Sequence, residues 1–208
     1  MLKIWGRADS GNVQKVTWAV GELGLPFERT DVGGKFGQLD EAWYRKLNPN
    51  SRIPTIEDDG LVLWESNAIV RHLALKHGKG GLCPADPAAR ADADRWMDWC
   101  TTTQQPPMAV LFIGLVRTPP EKRDARTMEA IEEARLKMEG LAGVLDARLA
   151  TRPFLAGDQL SIGDIPLGVF VHRWYGLPIQ RPAGPHLDAW YARLRDRPAF
   201  REHVLGPG

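Results

Sequence analysis

Over the first 77 residues, the spacing of hydrophobic and polar positions switches repeatedly between a strand period and a helix period. Residues 2–5 and 27–32 are short runs typical of strands, whereas the apolar residues between positions 13 and 23 recur at helical spacing. Residues 38–47 carry a weaker helical pattern. The pattern therefore predicts strand, helix, strand and a second, irregular helix in that order.

A hairpin and a third helix are predicted next. Residues 54–57 and 61–64 are strand-like and flank Asp59-Gly60, a pair that favours a tight antiparallel turn. Residues 66–77 return to the helical period. The resulting order is β-α-β-α-β-β-α, which indicates a mixed sheet with helices on its faces.

The strand pattern stops at Gly78. A segment rich in glycine and proline, residues 78–87, is typical of a linker. The predicted helices beyond it are residues 88–116, with a bend at Pro106-Pro107, 121–150, 162–174 and 187–195. Met128, Ile131, Leu136, Met138, Leu141 and Leu145 are expected to supply the apolar surface of the second. We therefore predict an α/β domain over 1–77, a linker over 78–87 and an all-helical domain over 88–208.

Charge and composition exclude several classes of protein. The formal net charge of +1 argues against a nucleic-acid binder, which usually carries a strong basic excess. No apolar stretch reaches membrane-spanning length, and no secretory signal is evident at the N-terminus. Cys83 and Cys100 are therefore expected to be reduced thiols in the cytoplasm. The histidine spacing matches no common zinc site, so no metal is expected.

The stretch from Ile53 to Ser66 combines several features with chemical potential. A residue before proline adopts an extended conformation, so Ile53 can offer its backbone to a peptide-like ligand in β fashion. At the start of the next helix, free N–H groups favour an anion, and Ser66 can add a hydroxyl donor. Glu65 can hold an ammonium group. The alternative is that Ser66 only caps the helix and Pro54 only interrupts the strand.

Ser10-Gly11-Asn12 lies between the first strand and the first helix. Ser10 is either an N-cap or a hydroxyl donor directed at an anion such as a thiolate. No nucleophile elbow or Ser-His-Asp set is recognisable, so an acylated serine is not predicted.

Ser161 to Asp164 form a capping box with aspartate in place of glutamate, in which Asp164 bonds back to the Ser161 N–H. This predicts a structural rather than a catalytic role for Asp164.

In this order, these residues resemble the cytosolic glutathione transferases of the serine type, and most closely theta-like or zeta-like bacterial members. The matching features are Ser10 in the first loop, Asn48-Pro49 before Ile53-Pro54, Glu65-Ser66 and the Ser161–Asp164 box. The resemblance implies a thioredoxin-like N-terminal domain followed by an all-helical domain, glutathione as co-substrate, and a homodimer.

The resemblance also implies a role for each site residue. Pro54 is expected to be cis, with Ile53 pairing with the glutathione cysteine backbone and Glu65 and Ser66 on the γ-glutamyl end. Arg52 is expected near the tripeptide and Gln38 at its glycine end, while Asp98 reaches the glutathione amine of the neighbouring subunit. Ser10, Asn12 or both would stabilise the thiolate.

The electrophile is expected between the domains, facing the start of the long helix. Asp92, Trp96, Trp99 and Thr103 share one face of that helix at helical spacing. Trp99 and Thr103 are candidates to line the pocket, whereas core packing or a dimer interface is the alternative and the favoured one for Trp96.

Three functions remain open from the sequence. The first is conjugation of glutathione to a small electrophile, a detoxification chemistry. The second is glutathione-dependent peroxidase, reductase, isomerase or dehalogenase activity at the same site. The third is a non-enzymatic binding or scaffold role, against which the intact Ser10, Ile53-Pro54 and Glu65-Ser66 argue.

Overall fold

The computed structural model describes residues 1–206 and divides into two compact units. The first contains Met1–Arg90 and the C-terminal segment from Arg195, and the second contains Ala91–Leu194. The sequence-based domain boundaries at residues 77 and 87 stay a prediction. No helix within the described residues is both long enough and apolar enough to span a bilayer.

The first unit is built on a four-stranded mixed sheet. Its strands are β1 (Leu2–Trp5), β2 (Phe27–Thr30), β3 (Thr55–Asp58) and β4 (Leu61–Trp64), in the order β2-β1-β3-β4. Strands β1 and β2 are parallel, while β1–β3 and β3–β4 are antiparallel. The predicted hairpin is confirmed, because Asp59 and Gly60 both adopt positive φ, at 49° and 85°, as a two-residue turn requires.

Three helices accompany this sheet: α1 (Gly11–Glu22), α2 (Ala42–Leu47) and α3 (Ser66–His77). The predicted element order and both ends of α3 are confirmed. The predicted start of α2 at residue 38 is wrong, because Gly37 and Gln38 have φ of 62° and 70°, outside the right-handed helical region. A short 3₁₀ turn at Gly34–Phe36 precedes them instead.

The C-terminal segment is held in the first unit by α1. The rings of Trp18 and Phe200 meet edge to face with centroids 4.7 Å apart. The Arg197 guanidinium donates to both carboxylate oxygens of Glu22, at 2.7 and 2.6 Å. The segment therefore forms part of this core, with a short helix α9 (Pro198–Phe200) and a π-helical turn at Arg201–Leu205.

A charged cluster joins the β3–β4 turn to α3. The Asp58 carboxylate accepts from His72 Nε2 at 2.7 Å and from Lys76 Nζ at 2.9 Å, and Lys76 also donates to Asp59 at 2.7 Å. Burial acts to raise the pKa of Asp58, but the hydrogen bonds from Lys76 and His72 outweigh it and hold that pKa below its usual value. The hairpin turn is thus fixed to the helix by polar contacts.

Asp58→Asn is expected to lower the free energy of unfolding at neutral pH by about 1 kcal/mol. Because the folded pKa of Asp58 lies below its unfolded value of about 3.9, its contribution is present above about pH 4. The contribution is lost as the pH falls through the folded pKa. Urea titrations between neutral and acid pH should therefore show a difference between wild type and variant that closes on the acid side. A constant difference at all pH values, or one matched by Glu129→Gln, would contradict this account.

The second unit is built from α-helices joined by turns and loops. Helix α4 (Pro87–Trp99) continues through a π-helical turn at Cys100–Gln104 into α5 (Gln105–Phe112). Pro106 and Pro107 stand in the first turn of α5, directly after the π-helical turn. Because proline has no N–H to donate, a wider turn before the pair accommodates the interrupted ladder.

Three further helices follow: α6 (Ala125–Leu149), α7 (Asp164–Tyr175) and α8 (Pro185–Arg195). Asp124 caps α6 by accepting from the Thr127 N–H at 2.8 Å. Of the six residues expected to supply the apolar surface of α6, Met128 and Leu136 are exposed, at 49% and 55%. Ala134 and Ala142 occupy the buried stripe, so small residues supply part of the face assigned to large ones.

Candidate active site

The N-termini of α1 and α3 meet in the first unit. Ser10 is the N-cap of α1 and adopts an extended backbone, but its side chain makes no capping hydrogen bond. The Ser66 hydroxyl, which is 7% exposed, lies 3.4 Å from Asn12 Oδ1 and donates to it. The first turns of both helices are therefore in contact. Their free N–H groups and dipoles make this a position that favours an anion.

The loop before β3 presents an open backbone. The Ile53-Pro54 peptide bond is cis, as the resemblance implies. Within residues 1–206, the N–H and C=O groups of Ile53 take part in no hydrogen bond. An extended ligand can therefore pair with both groups, in the way that a peptide adds to a strand edge.

Three side chains hold this loop in place, and of these only Asn48 was named from the sequence, as part of the family resemblance. Tyr44 Oη and Asn48 Nδ2 both donate to the carbonyl oxygen of Arg52, at 2.7 and 2.8 Å. Both also contact Thr55 Oγ1, at 3.0 and 3.1 Å. Burial raises the pKa of Tyr44, so its hydroxyl remains a donor. Tyr44, Asn48 and Thr55 therefore fix the backbone next to Ile53 without using the N–H or C=O of Ile53 itself.

Glu65 precedes α3 in an unusual backbone conformation. Its φ is 71° and its ψ is 107°, and its side chain is exposed and forms no capping bond. A residue other than glycine at positive φ costs on the order of 1–3 kcal/mol and persists where its surroundings enforce it. Here the turn from β4 into α3 imposes the conformation on the residue that directly precedes the first turn of α3.

Gln38 and Arg52 belong to the same unit, but within residues 1–206 their side chains form no hydrogen bonds to the other candidate site residues. Gln38 also has positive φ, at 70°, and its amide donates to the Phe36 carbonyl at 3.3 Å. The Arg52 side chain is exposed. Neither side chain forms a hydrogen bond with Ser10, Ile53 or Ser66 in the described part of the chain.

Asp98, Trp99 and Thr103 lie in the second unit, at the end of α4 and in the π-helical turn after it. Asp98 is exposed, and Trp99 and Thr103 are half-buried. Trp99 packs edge to face on Trp96, with ring centroids 5.5 Å apart. Trp96 is buried, in agreement with the packing role that was favoured for it over a place in the electrophile pocket. The π-helical turn changes the register after Trp99, so the assumption of a regular helical face over 92–103 is only approximate.

Asp164 is buried and accepts four hydrogen bonds. The predicted bond from the Ser161 N–H is present at 3.0 Å, together with bonds from Ser161 Oγ, the Leu155 N–H and Trp190 Nε1. Helix α7 begins at Asp164 with Gly163 as its N-cap, so the predicted N-cap position of Ser161 is two residues too early. Asp164 therefore joins a loop, a helix start and α8, which is a structural role.

Metal ligands do not gather anywhere in the described residues: no three histidine, cysteine, aspartate or glutamate side chains within 1–206 are arranged to hold an ion. Cys83 and Cys100 are both buried, and neither forms a disulfide.

Two family models and several known proteins that match this chain belong to one family. Residues 9–76 match the family model "Glutathione S-transferase, N-terminal domain", and residues 128–193 match "Glutathione S-transferase, C-terminal domain". The chain is 40% identical over 209 residues to glutathione S-transferase GstB of Escherichia coli K12, covering 100% of this chain and 99% of that protein. It is 32% identical to glutathione S-transferase 3 of Zea mays, covering 98% and 93% of the two chains.

A solved structure is also close to this one. The theta class glutathione S-transferase from the citrus canker pathogen Xanthomonas axonopodis pv. citri, with glutathione bound, superposes with a TM-score of 0.92. It shares 48% sequence identity with this chain, and the match covers 99% of this chain and 97% of that one.

Proposed function

Because this chain belongs to the glutathione S-transferase family, we propose that its first unit activates the glutathione thiol for attack on small electrophiles. The protein is a glutathione-conjugating enzyme with a thioredoxin-like domain and a helical domain, and glutathione is its co-substrate. We further propose which residues form the glutathione site.

The observation that carries this assignment is the contact between Ser66 and Asn12. It joins the N-termini of α1 and α3 into one anion-favouring position. The open Ile53 backbone provides a peptide-pairing edge in the same unit. A γ-glutamyl tripeptide has a carboxylate, an ammonium, a peptide backbone and a thiol, which are the groups that these elements can bind.

We assign each glutathione group by this chemistry. Ile53 pairs with the cysteine backbone, and the free N–H groups at the α3 N-terminus bind the γ-glutamyl carboxylate. The Ser66 hydroxyl, whose single O–H donates to Asn12 in this structure, turns to the same carboxylate when the ligand binds, and Glu65 binds the ammonium. The remaining proposed contacts are Arg52 near the tripeptide, Gln38 at the glycine end, and Asp98 to the amine of glutathione on a partner subunit.

The thiolate is stabilised by Ser10 or Asn12. Ser10 makes no capping bond, so its hydroxyl is available to donate at the start of α1. Asn12 uses its side-chain oxygen to accept from Ser66, which leaves its amide nitrogen to donate. A free thiol has a pKa of about 8.5, and lowering it by about two units makes most bound glutathione nucleophilic at neutral pH.

The chemical step follows from that activation. The thiol proton leaves to solvent, the sulfur lone pair forms a C–S bond, and the electrophile either expels its leaving group or accepts a proton after addition. No covalent bond to the protein forms, so the rate is raised by thiolate stabilisation and proximity.

A conjugation assay tests the proposed function. The wild type is expected to turn over chlorodinitrobenzene with glutathione, with saturation in both substrates. A parallel assay with cumene hydroperoxide tests peroxidase activity, the second candidate, because peroxide reduction also needs only the activated thiolate. If neither electrophile nor peroxide reacts above the rate of free glutathione, a binding or scaffold role replaces the enzymatic one.

We propose that Trp99 and Thr103 contact the electrophile, supported by their partial burial one helical turn apart. Trp99→Ala is expected to raise the KM for chlorodinitrobenzene about 10-fold or more, because a large aromatic contact is lost. The Kd of glutathione, from calorimetry, should stay within about twofold. Equal losses in both quantities would instead indicate that Trp99 only packs the helix.

The proposed setting is a homodimer in the cytoplasm that detoxifies electrophiles. Large apolar side chains are exposed on the second unit, which supports a protein interface: Val110, Ile113, Val116, Met128, Leu136 and Val144. The two buried thiols are consistent with a reducing compartment. Light scattering should give twice the chain mass of 23.2 kDa, and a value equal to that mass would contradict the dimer.

A further inference from the structure

Three arginine side chains converge on one carboxylate in the second unit. Asp92 on α4 pairs with Arg148 of α6 through Oδ2 and with Arg95, one turn further along α4, through Oδ1. Arg152, in the loop after α6, places Nη1 3.9 Å from the same Oδ2. We refer to Asp92, Arg95, Arg148 and Arg152 as the arginine cluster.

The cluster has more positive charge than Asp92 neutralises. Three guanidinium groups and one carboxylate leave a local excess of two positive charges, since arginine stays protonated in proteins. In the described residues, Asp92 is the only carboxylate that forms an ion pair with these three arginines. Burial lowers the pKa of Arg148, and the charges of Arg152 and Arg95 add to that effect against the attraction of Asp92.

Buried polar atoms without a hydrogen-bond partner lie there, two donors and one acceptor. The acceptor is Asp92 Oδ1, which forms the ion pair with Arg95 but accepts no hydrogen bond within residues 1–206. Arg148 is fixed, because its Nε donates to the Leu155 carbonyl at 2.8 Å and its guanidinium lies over the Trp96 ring, 5.6 Å from the centroid. The Nε of Arg152 is buried and has no hydrogen-bond partner within residues 1–206. The Trp96 indole N–H is also buried without a partner there, and the Arg95 guanidinium lies 5.9 Å from the same ring centroid.

The three arginine side chains differ in how much of their surface is exposed to solvent. Arg148 is the least exposed, with 18% of its side chain accessible, and its bond to Asp92 ties α6 to α4. The Arg95 side chain is 61% exposed and that of Arg152 is 32% exposed, so both can turn toward a ligand from solvent. The bridge between the helices needs only Arg148, and the other two arginines are in excess of that structural requirement.

We propose that the arginine cluster binds a phosphate group. Two planar guanidinium forks match the oxygen geometry of phosphate, and a dianion would cancel the local excess of positive charge. Such a group comes from inorganic phosphate or from a small phosphate monoester. The arginine cluster shares no residue with the proposed glutathione site, whose contacts lie in the first unit apart from Asp98.

The test is a titration of the full-length wild type with inorganic phosphate, at constant ionic strength set with sodium chloride. Calorimetry measures binding, and thermal unfolding measures the rise in Tm that a ligand of the folded state produces. The double variant R95Q/R152Q keeps the structural Arg148–Asp92 bridge. The control is Arg126→Gln, which removes an exposed arginine from the first turn of α6.

Phosphate is expected to bind the wild type and Arg126→Gln alike, and about tenfold or more weakly to R95Q/R152Q. Phenyl phosphate, titrated in the same way, distinguishes the source: tighter binding than inorganic phosphate indicates a monoester ligand, and equal binding indicates free phosphate. No heat and no Tm rise with the wild type would overturn the proposal. The same binding in R95Q/R152Q as in the wild type would overturn it equally.

Discussion

Replacing Asp164 with alanine is expected to lower the free energy of unfolding by about 3–5 kcal/mol. Its carboxylate accepts from two backbone N–H groups, the Ser161 hydroxyl and the Trp190 indole. All of these donors are buried and would lose their acceptor together. A buried polar group without a partner costs about 1–3 kcal/mol, and partial relaxation keeps the total below the simple sum.

Urea denaturation of Asp164→Ala and of Asp124→Ala measures this effect against a matched control. Asp124 caps α6 at the surface through Thr127, and its loss should cost only about 1 kcal/mol. Asp164→Asn should also be markedly destabilised, because one amide nitrogen cannot accept the bonds that the second carboxylate oxygen accepts. If the two alanine variants have similar stability, Asp164 is an ordinary cap and does not join α8 to the start of α7.

Ser10→Ala is expected to reduce kcat/KM for conjugation by about 10²–10³-fold, the usual cost of losing one donor to a developing or stabilised anion. The Kd of glutathione should change little, since the tripeptide is held by Ile53, Glu65 and Ser66. The pH dependence of kcat/KM tests whether Ser10 lowers the pKa of the bound thiol. Without the donor, the pKa of the bound thiol returns toward about 8.5, so activity keeps rising with pH where the wild type has already levelled off.

Asn12→Ala is the partner experiment, because its amide is the other candidate donor. A large loss in Ser10→Ala with a small loss in Asn12→Ala assigns the thiolate to the serine hydroxyl. The reverse order assigns it to the amide. A pH profile that does not move in either variant would remove both residues from thiolate stabilisation.

Much of the first unit was predictable because its signals are local. The Asp59-Gly60 turn and the helical period over 66–77 each depend on neighbours in sequence, and both predictions are confirmed. The start of α2 was not, since the residue type of Gln38 does not indicate its positive φ. The cis bond at Pro54 followed only from family resemblance, because residue type leaves the isomer open.

The features that sequence reasoning missed depend on contacts distant along the chain. Tyr44 supports Arg52 and Thr55 through its hydroxyl, and nothing in the helical pattern around Tyr44 indicates that partner. The arginine cluster joins α4 to residues more than fifty positions later. Asp92 was assigned to a helical face by spacing, but only the structure shows that three arginines surround it.

The central claim is that glutathione binds where the N-termini of α1 and α3 meet, and calorimetry with glutathione on wild type and Ser66→Ala tests it most directly. Thr151→Ala, which removes an exposed hydroxyl from the second unit, is the matched control. The account predicts clear binding to wild type and control, and binding weakened about tenfold or more in Ser66→Ala, because a buried donor to the carboxylate is lost. Equal affinity in all three proteins, or no binding to the wild type at millimolar glutathione, would contradict it.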